Sequence, residues 1–493
     1  MYFDKKVLMG RGKTDAYILT NMANRHGLIT GASGSGKTIT LKVMAESFSD
    51  AGVPVFLSDI KGDLAGMGLP GENNENIQKR VTNLNLENFT FKDYPTHFWD
   101  VEGMKGHPIR TTVNNIGYQL LSRMLGLTEA QEGVLAIAFK IASDNEWPII
   151  DLKDLRLILQ YIGDNRKDYT LQYGNVTLQS IGSIQRNILV LQQQGGDNFF
   201  GEPSLDITDF IKYSATDGRG YINILHAVNL FQKPTLYATF LLWLLNELYI
   251  KLPEVGDLEK PKMIFCFDEA HLLFEEMPDY MIKDVIQVVK LIRSKGIGLY
   301  FISQSPKDIP DEVLSQLGNR VQHALRAYTP AEQKIVKAAA SSFRVNPSID
   351  TEQAILSLGT GEALVSFLNE DGEPNIVEQV TILPPQSKMG TIDDITRKTI
   401  IDSSLFNGKY DTLVDNESAF EKLTQAIEEK EIEEQKEIEQ IEKEKEEKKK
   451  EKEKAKEKKK KTGLEKAADK VTNSAMSTIG RKIGNSIFKN LFK

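Results

Sequence analysis

The chain has 493 residues, 40% of them hydrophobic, which is enough for a packed core and for more than one ordinary domain. Its formal net charge of −8 argues against broad non-specific binding of nucleic acid, although a narrow basic channel remains compatible with it. A single cysteine, Cys266, excludes an internal disulfide framework. We expect no signal peptide in Met1–Gly10 and no membrane span, because the most apolar run, Phe240 to Ile250, is shorter than about 20 residues. These features predict a cytoplasmic protein.

Short β-rich runs alternate with helical patterns from Met1 to about Pro385, which predicts an α/β fold with a mainly parallel sheet. Several of the runs are apolar on both faces, as central parallel strands are. In chain order the predicted strands are Gly27–Thr30, Val53–Ser58, Tyr221–Leu225, Met263–Phe267, Gly298–Ser303 and Val321–Leu325. We interpret residues 1–107 and 213–395 as the two parts of one core.

The first predicted strand leads into a loop whose composition is typical of phosphate binding. The loop consists of Gly31, Ala32, Ser33, Gly34, Ser35, Gly36, Lys37 and Thr38, and a helical pattern follows it. Its glycines let backbone N–H groups converge on phosphate oxygens, and the helix N-terminus adds a positive field. We expect Lys37 to reach the β- and γ-phosphates of ATP and the Thr38 hydroxyl to bind Mg²⁺. A glycine-rich turn without a ligand is the alternative.

Residues 108–212 differ in character, because helical patterns occur there without a convincing strand. Thr128 and Gln131 are spaced as a capping box ahead of an apolar run, and further helical patterns cover Leu152–Ile162 and Leu178–Gln193. We interpret this stretch as a helical insertion between the second and third predicted strands. A lid, a subunit contact and a partner surface are the open alternatives for its role.

Acidic residues follow two of the predicted strands. Asp268 and Glu269 come directly after Met263–Phe267, where Asp268 is expected in the Mg²⁺ shell and Glu269 beside the water that attacks the γ-phosphate. Simple capping acids are the alternative. Asp59, near the end of the second strand, faces the same edge and either tunes the metal site or forms a turn. The Asp-Glu pair favours hydrolysis over transfer to a bound hydroxyl.

A polar amide and two arginines complete the candidate catalytic residues. Gln304 follows the strand Gly298–Ser303, where an amide can contact the γ-phosphate and the attacking water, or lie on the surface. Arg293 ends the preceding helical pattern, and Arg320 leads the strand Val321–Leu325. Either arginine is a candidate to reach into the site of a neighbouring subunit, and a structural role is the alternative for each.

The C-terminal part begins with a helix that opens at Pro330 and has Thr329 and Glu332 spaced as a capping box. The runs Glu362–Leu368 and Ile376–Leu383 then predict a β-hairpin.

Three segments of different composition follow. Residues 396–420 are interpreted as a linker, and residues 421–461 as a Glu/Lys-rich spacer that is either a charged single helix or disordered. Residues 462–493 predict a basic amphipathic helix, which could dock on a partner protein, on its own chain or on an anionic membrane surface. Docking on protein is favoured because the apolar face carries small residues and no Trp.

Over roughly residues 5 to 395 the sequence resembles the HerA-like helicases of the HerA–FtsK superfamily, in its YjgR-like bacterial branch. The segments that carry the resemblance, besides the phosphate-binding loop, are Asn24–Gly27, Ser58–Asp63, Phe267–Leu273, Ile292–Gly298, Ser303–Pro306, Leu317–Arg326, Gly361–Phe367 and Leu383–Pro385. The resemblance implies a RecA-like P-loop NTPase core that acts as a hexameric ring, with nucleotide at the subunit interfaces and DNA in the centre. It also implies that Lys37, Thr38, Asp268, Glu269, Gln304 and Arg293 act on ATP.

Together these features predict an ATP-hydrolysing P-loop motor, a helicase or translocase of double-stranded DNA. Its expected ligands are ATP, Mg²⁺ and DNA. Its expected protein partners are copies of itself in a hexamer and a nuclease or other protein at the C-terminal helix. An ATPase that moves a protein substrate and a nucleotide-switched scaffold are the alternatives.

Overall fold

A mixed β-sheet lies in the first of the two units, Met1–Leu423 and Thr424–Lys493, into which the chain divides. The computed structural model describes residues 1–256, 258–275 and 279–460. Within them the strands are β1 (Tyr2–Phe3), β2 (Lys6–Arg11), β3 (Asp15–Leu19), β4 (Gly27–Thr30), β5 (Val55–Asp59), β6 (Thr96–Asp100), β7 (His107–Pro108), β8 (Ile222–His226), β9 (Met263–Phe267), β10 (Ile297–Ser303), β11 (Asn319–His323), β12 (Glu362–Ser366) and β13 (Glu378–Ile382).

Helices connect these strands. They are α1 (Lys37–Asp50), α2 (Glu75–Asn83), α3 (Val113–Met124), α4 (Glu129–Asp144), α5 (Leu152–Asp164), α6 (Arg166–Tyr173), α7 (Leu178–Gln193), α8 (Gly196–Phe199), α9 (Pro234–Lys251), α10 (His271–Glu275), α11 (Asp279–Leu291), α12 (Asp311–Leu314), α13 (Pro330–Ser341), α14 (Thr351–Ser357), α15 (Asp394–Asp402) and α16 (Ala419–Lys460). Short 3₁₀ turns cover Thr20–Arg25, Ala65–Gly68, Ile207–Ile211, Leu230–Gln232, Ile292–Lys295 and Pro306–Asp308. Among the described helices, none combines the length and the apolar character that a membrane crossing needs.

The strand order across the sheet is β1-β2-β13-β12-β11-β4-β10-β9-β5-β8-β6-β7, and β3 pairs with β2. Neighbouring strands from β11 to β7 run parallel, whereas β12, β13, β2, β1 and β3 pair antiparallel. The predicted α/β fold with a mainly parallel sheet is therefore confirmed. The six predicted strands correspond to β4, β5, β8, β9, β10 and β11, and the predicted hairpin corresponds to β12 and β13.

Two parts of the sheet were not predicted from the sequence. Strands β1 to β3 precede the phosphate-binding loop, and β6 lies beside β8. All five residues of β6 are buried although three of them are polar, and its Trp99 donates from Nε1 to Oδ1 of Asn223 at 2.9 Å. The helices of residues 108–212 lie between β5 and β8 in the chain, and β6 and β7 precede them there.

The residues 108–212 contain helices α3 to α8. Helix α4 begins as its capping spacing predicts, since Thr128 donates its backbone N–H to Oε1 of Gln131 at 3.0 Å. Helix α5 is capped by Asp151, whose carboxylate accepts the backbone N–H of Lys153 at 2.9 Å. The buried faces of these helices are apolar, with residues such as Ile158 and Ile184 fully inaccessible to solvent.

Alternating side chains of the central strands cover the two faces of the sheet. On one face, Leu41, Met44 and Phe48 of α1 join a core with Cys266 and Ile302. Cys266 is thus a buried apolar residue, as its surroundings in the sequence predict. On the opposite face, phenylalanine rings from β5, β9 and β10 form neighbouring contacts. These rings are Phe56 on Phe265, with centroids 4.3 Å apart, and Phe267 on Phe301, with centroids 5.2 Å apart.

The stretch 396–420, predicted as a linker, belongs to the first unit and packs within it. It begins inside α15 and continues with the buried side chains of Phe406 and Tyr410. The Tyr410 hydroxyl donates to Oδ2 of Asp209 at 2.6 Å, and Nη1 of Arg110 donates to the Tyr410 carbonyl at 2.9 Å. Aromatic burial and these hydrogen bonds explain why this stretch is ordered.

The charged segment that follows is helical as far as the structure describes it. Helix α16 has 42 residues, and Glu-Lys pairs four residues apart lie along it, for example Glu439–Lys443 at 3.6 Å. The predicted amphipathic helix at residues 462–493 lies outside the described residues.

Candidate active site

The phosphate-binding loop joins β4 to α1 and depends on glycine at two positions. Gly31 has a φ of 154°, and a Cβ there would lie 2.5 Å from Cβ of His323. Gly34 has a φ of 73°, and a Cβ there would meet nothing within 4 Å. The first position needs glycine for close approach and the second for its left-handed backbone, while the space above Gly34 stays open.

Segments distant in sequence hold this loop in place. Ala32 donates its backbone N–H to the Ala324 carbonyl at 2.9 Å, and Gly361 donates to the Ser35 carbonyl at 2.9 Å. His323 bridges Thr40 Oγ1, 2.8 Å from its Nε2, and the Glu362 carbonyl, 2.9 Å from its Nδ1.

The environment of His323 fixes which ring nitrogen carries the proton. Burial lowers the pKa of His323 to about 4, so its imidazole is neutral near pH 7. Because a carbonyl only accepts, Nδ1 carries the proton and Nε2 accepts from the Thr40 hydroxyl. Sequence reasoning missed this contact, since it depends on β11 lying beside β4.

Lys37 lies inside the loop and is 6% exposed. Its Nζ donates to the Gly31 carbonyl at 2.6 Å and to the Ala32 carbonyl at 3.2 Å. Burial lowers the pKa of Lys37, and the charges of Glu269 and Asp268 oppose that shift. The structure thus brings the loop lysine and the acidic pair within electrostatic reach of each other. Thr38, the first residue after Lys37 in α1, is half-buried.

Asp268 follows β9 and is 4% exposed. Its Oδ1 accepts the backbone N–H of Glu269 at 3.0 Å, while its buried Oδ2 has no hydrogen-bond partner in the described part of the chain. Burial, with help from the charge of Glu269, raises the pKa of Asp268 to about 7. A buried carboxylate oxygen without a partner is a suitable ligand for a hard cation or its bound water, and the residues therefore fit Mg²⁺.

Glu269 has an unusual backbone and two polar neighbours. Its φ of 47° lies in the left-handed region, a strained conformation for a residue with a side chain. Its Oε1 forms an ion pair with Nζ of Lys61, and its Oε2 lies 3.3 Å from Nδ1 of His271 without hydrogen-bond geometry. Burial acts to raise the pKa of Glu269, but the hydrogen bond and charge of Lys61 and the charge of Lys37 lower it overall.

Asp59 lies at the end of the neighbouring strand β5, level with Asp268 after β9, yet its carboxylate oxygens have different hydrogen-bond partners. Oδ1 accepts the backbone N–H of Gly62 at 2.7 Å, and Oδ2 accepts that of Leu64 at 3.2 Å. Burial, followed by the charge of Asp63, raises the pKa of Asp59 to about 6. Of the two alternatives for Asp59, the geometry favours the turn. The turn carries Lys61, whose contact with Glu269 sequence reasoning did not find.

Gln304 follows β10, which lies between β4 and β9 in the sheet. Its side chain is exposed. Because parallel strands place their carboxyl ends at one edge, the loop, the acidic pair and Gln304 lie along the same edge. We call this the carboxyl edge, and the opposite one the amino edge.

The two candidate arginines lie at the amino edge. Arg293 is in the turn Ile292–Lys295 ahead of β10, and since β10 has seven residues at about 3.3 Å each, roughly 20 Å separate it from the carboxyl edge. Arg320, near the start of β11, donates to the carbonyls of Leu317, Ser342 and Leu314 at 3.1, 2.9 and 3.1 Å. These contacts give Arg320 a structural role, and neither arginine joins the acidic pair of its own chain.

The family model described as the HerA-like C-terminal region of helicases matches residues 4–493. The chain belongs to this HerA-like family. The resemblance predicted from its motifs is therefore confirmed.

Two curated relatives that the chain matches over most of its length are distant in sequence. The chain is 23% identical over 360 residues to the DNA double-strand break repair helicase HerA of Sulfurisphaera tokodaii, covering 71% of this chain and 63% of that protein. The HerA helicase of Sulfolobus acidocaldarius is 23% identical over 354 residues, with coverages of 71% and 63%. The chain thus spans less than two thirds of the length of these relatives.

A solved structure shares the fold. The plasmid coupling protein TrwB in complex with a non-hydrolysable ATP analogue is 12% identical, with a TM-score of 0.50 over 75% of this chain and 87% of TrwB. At this identity the similarity concerns the fold alone.

Proposed function

We propose that this HerA-like chain is a P-loop ATPase that works as a motor on double-stranded DNA in the cytoplasm. The observation that carries the ATPase assignment is the unpartnered Oδ2 of Asp268 beside the strained Glu269, both close enough to Lys37 for their charges to act on it. Backbone strain and unsatisfied buried polar atoms both destabilise a fold. They cluster where a site is organised for a ligand.

The proposed reaction is the hydrolysis of ATP. Water attacks the γ-phosphorus, the bond from that phosphorus to the bridging oxygen breaks, and ADP and phosphate leave. Glu269 accepts a proton from the attacking water, and its lowered pKa keeps it in the ionised form that this role needs. Lys37 exchanges the carbonyls of Gly31 and Ala32 for phosphate oxygens.

Thr38 and Asp268 are the residues we assign to Mg²⁺. The ion would neutralise charge on the β- and γ-phosphates. Asp268 contributes its Oδ2, and its Oδ1 bond to the Glu269 N–H orients both acids together. We assign Gln304 to the γ-phosphate and its water, since its amide follows the strand between β4 and β9.

A hexameric ring accounts for the place of Arg293. An arginine roughly 20 Å from the loop of its own chain cannot reach that chain's nucleotide. In a ring that holds nucleotide between subunits, we propose that Arg293 contacts the nucleotide of the neighbouring subunit. The proposal that the substrate is DNA rests on the family and on the HerA relatives, whose names describe DNA repair helicases.

The test is ATP hydrolysis measured with and without duplex DNA. We expect DNA to stimulate hydrolysis, and we expect Lys37→Ala and Glu269→Gln to abolish it. Lys398→Met, which removes an exposed lysine paired with Asp402 on α15, is the matched control and should behave as the parent. Hydrolysis that ignores every form of DNA would contradict the DNA proposal and favour a motor for protein substrates. Assembly that depends on ATP without movement of any polymer would favour a scaffold.

A further inference from the structure

The ion pair between Lys61 and Glu269 joins two adjacent strand ends. Lys61 follows β5 and Glu269 follows β9, and these strands pair with Ser58 opposite Phe267. Nζ of Lys61 contacts Oε1 of Glu269 directly. Since Lys37 donates to loop carbonyls instead, Lys61 is the cation in direct contact with this carboxylate among the described residues.

Both partners sit on backbone that is held in place. The turn carrying Lys61 is closed by the two N–H bonds of Gly62 and Leu64 to the Asp59 carboxylate. Glu269 donates its N–H to Asp268, and its carbonyl accepts the N–H of Leu272 at 2.9 Å. The pair is therefore built by two fixed turns rather than by two freely moving surface chains.

Exposure differs sharply between the two side chains. The Lys61 side chain is 47% exposed, whereas that of Glu269 is 7% exposed. The carboxylate cannot follow a ligand into solvent, but the ammonium can leave it for an anion outside. While the pair holds, Oε1 of Glu269 faces the ammonium of Lys61 and is not open to a water molecule.

We propose that Lys61 is a positioning residue that restrains Glu269 until phosphate groups of DNA attract its ammonium away. This inference rests on the proposed function, because it concerns the regulation of the same site. In this scheme hydrolysis without DNA is slow because the ammonium of Lys61 stays paired with the carboxylate of Glu269. Bound DNA releases the carboxylate by competing for the exposed end of the lysine.

The experiment compares the full-length parent with Lys61→Met, Lys61→Arg and the control Lys398→Met. We expect Lys61→Met to raise kcat without DNA by about five-fold, the effect of losing one partly exposed ion pair, and to show little further stimulation by DNA. Lys61→Arg keeps a cation at this position and should restore the parental ratio. KM for ATP and the affinity for a fluorescent non-hydrolysable ATP analogue should remain parental in all three.

A second variant tests whether the effect passes through Glu269. Glu269→Asp, whose shorter side chain loses the contact with Lys61, is compared alone and combined with Lys61→Met, and the two should hydrolyse ATP at the same rate. If Lys61→Met still raised kcat in that background, the inference would be overturned. An unchanged or lower kcat in Lys61→Met alone, with a thermal midpoint equal to that of the parent, would also overturn it. Weaker analogue binding by Lys61→Met would also overturn it, because Lys61 would then contact the nucleotide itself. Failure of the proposed function is distinguishable, since it appears in the parent as absent hydrolysis or absent response to DNA.

Discussion

The two edges of the sheet use their polar groups in opposite ways. At the amino edge, the Asn319 side chain donates to the carbonyls of Met22 and His26, and its oxygen accepts the N–H of Leu368. Arg320 is likewise bonded to three carbonyls. At the carboxyl edge, buried atoms of Asp63, Asp268, Glu269 and His271 have no hydrogen-bond partner among the described residues.

This difference separates a structural edge from a functional one. Buried polar groups normally find partners, and a group of unsatisfied atoms at one edge indicates a place arranged for ligands. The contrast predicts that substitutions at the amino edge change stability and that substitutions at the carboxyl edge change hydrolysis. Arg293 lies at the amino edge but should affect hydrolysis, because we assign it to the site of a neighbouring subunit.

Among the substitutions that compare the two edges, the largest effect is expected for Arg293→Ala. Loss of an arginine that stabilises transition-state charge in trans should lower DNA-stimulated kcat by about 10³-fold. Mixing this variant with Lys37→Ala should restore part of the activity, because each supplies what the other lacks at shared interfaces. Mixed oligomers of verified composition that stay inactive would contradict the assignment in trans.

Asp268→Asn should lower kcat by about 10²-fold, because a neutral amide is a poor ligand for Mg²⁺. The thermal midpoint should not fall, since Oδ2 of Asp268 has no partner to lose. Asp59→Asn provides the matched comparison on the next strand. An amide has one oxygen for the two N–H donors, so this variant should lose about 1–3 kcal/mol of unfolding free energy in urea titrations. If Asp268→Asn lowered stability and Asp59→Asn lowered kcat instead, Asp59 would be the metal ligand and Asp268 the residue that holds a turn.

The pH dependence of stability tests the amino edge. Burial lowers the pKa of His26 from its usual 6.5 to about 4, and its Nδ1 accepts the N–H of Leu299 at 3.0 Å. The folded state therefore resists protonation, so this contribution to stability is present above the unfolded pKa and is lost as the pH falls from about 6.5 towards 4.

We expect His26 to account for a loss of about 3 kcal/mol between about pH 7 and pH 4. His26→Gln can keep the bonds to Leu299 and to the Val289 carbonyl without titrating, so its unfolding free energy should fall less over this range. Parallel curves for the parent and the variant would show that His26 does not resist protonation in the fold.

The smallest effect is expected for Arg320→Met. Loss of its bonds to the carbonyls of Leu317, Ser342 and Leu314 should cost about 2 kcal/mol of unfolding free energy, while hydrolysis per folded molecule is retained. Urea titration and an active-fraction assay measure the two quantities separately. Lost hydrolysis with retained stability would return Arg320 to the catalytic candidates.

Local patterns in the sequence predicted the part of the fold that local chemistry determines. Apolar runs bounded by turn residues marked the parallel strands, and the hairpin followed from polar residues between two such runs. Strand β6 was missed because Thr96, His97 and Asp100 make it look polar, although burial of all five residues shows it to be internal. The polar side chains find partners outside the neighbouring strand β8: Thr96 donates to the Tyr94 carbonyl, His97 Nδ1 contacts Ser404 Oγ, and Asp100 accepts N–H groups of the turn that follows it.

The candidate site also has a part that local sequence patterns predicted and a part that they did not. The loop, Asp268 and Glu269 each follow a strand directly, so their spacing was visible along the chain. The Lys61–Glu269 pair joins residues 208 positions apart and depends on β5 lying beside β9. The distinction between Asp59 and Asp268 was equally invisible, because it lies in which backbone N–H groups reach each carboxylate. Such contacts follow from topology, which single-sequence patterns do not specify.

The distant contacts that hold the phosphate-binding loop in place have a consequence for synthesis of the protein. Residues 31–38 leave the ribosome before His323 and Gly361, which supply the hydrogen-bond partners of the Thr40 hydroxyl and the Ser35 carbonyl. A nascent chain arrested before those partners emerge has the motif without its scaffold. Nucleotide affinity should therefore arise only after residues 323–361 have been synthesised and folded onto the loop.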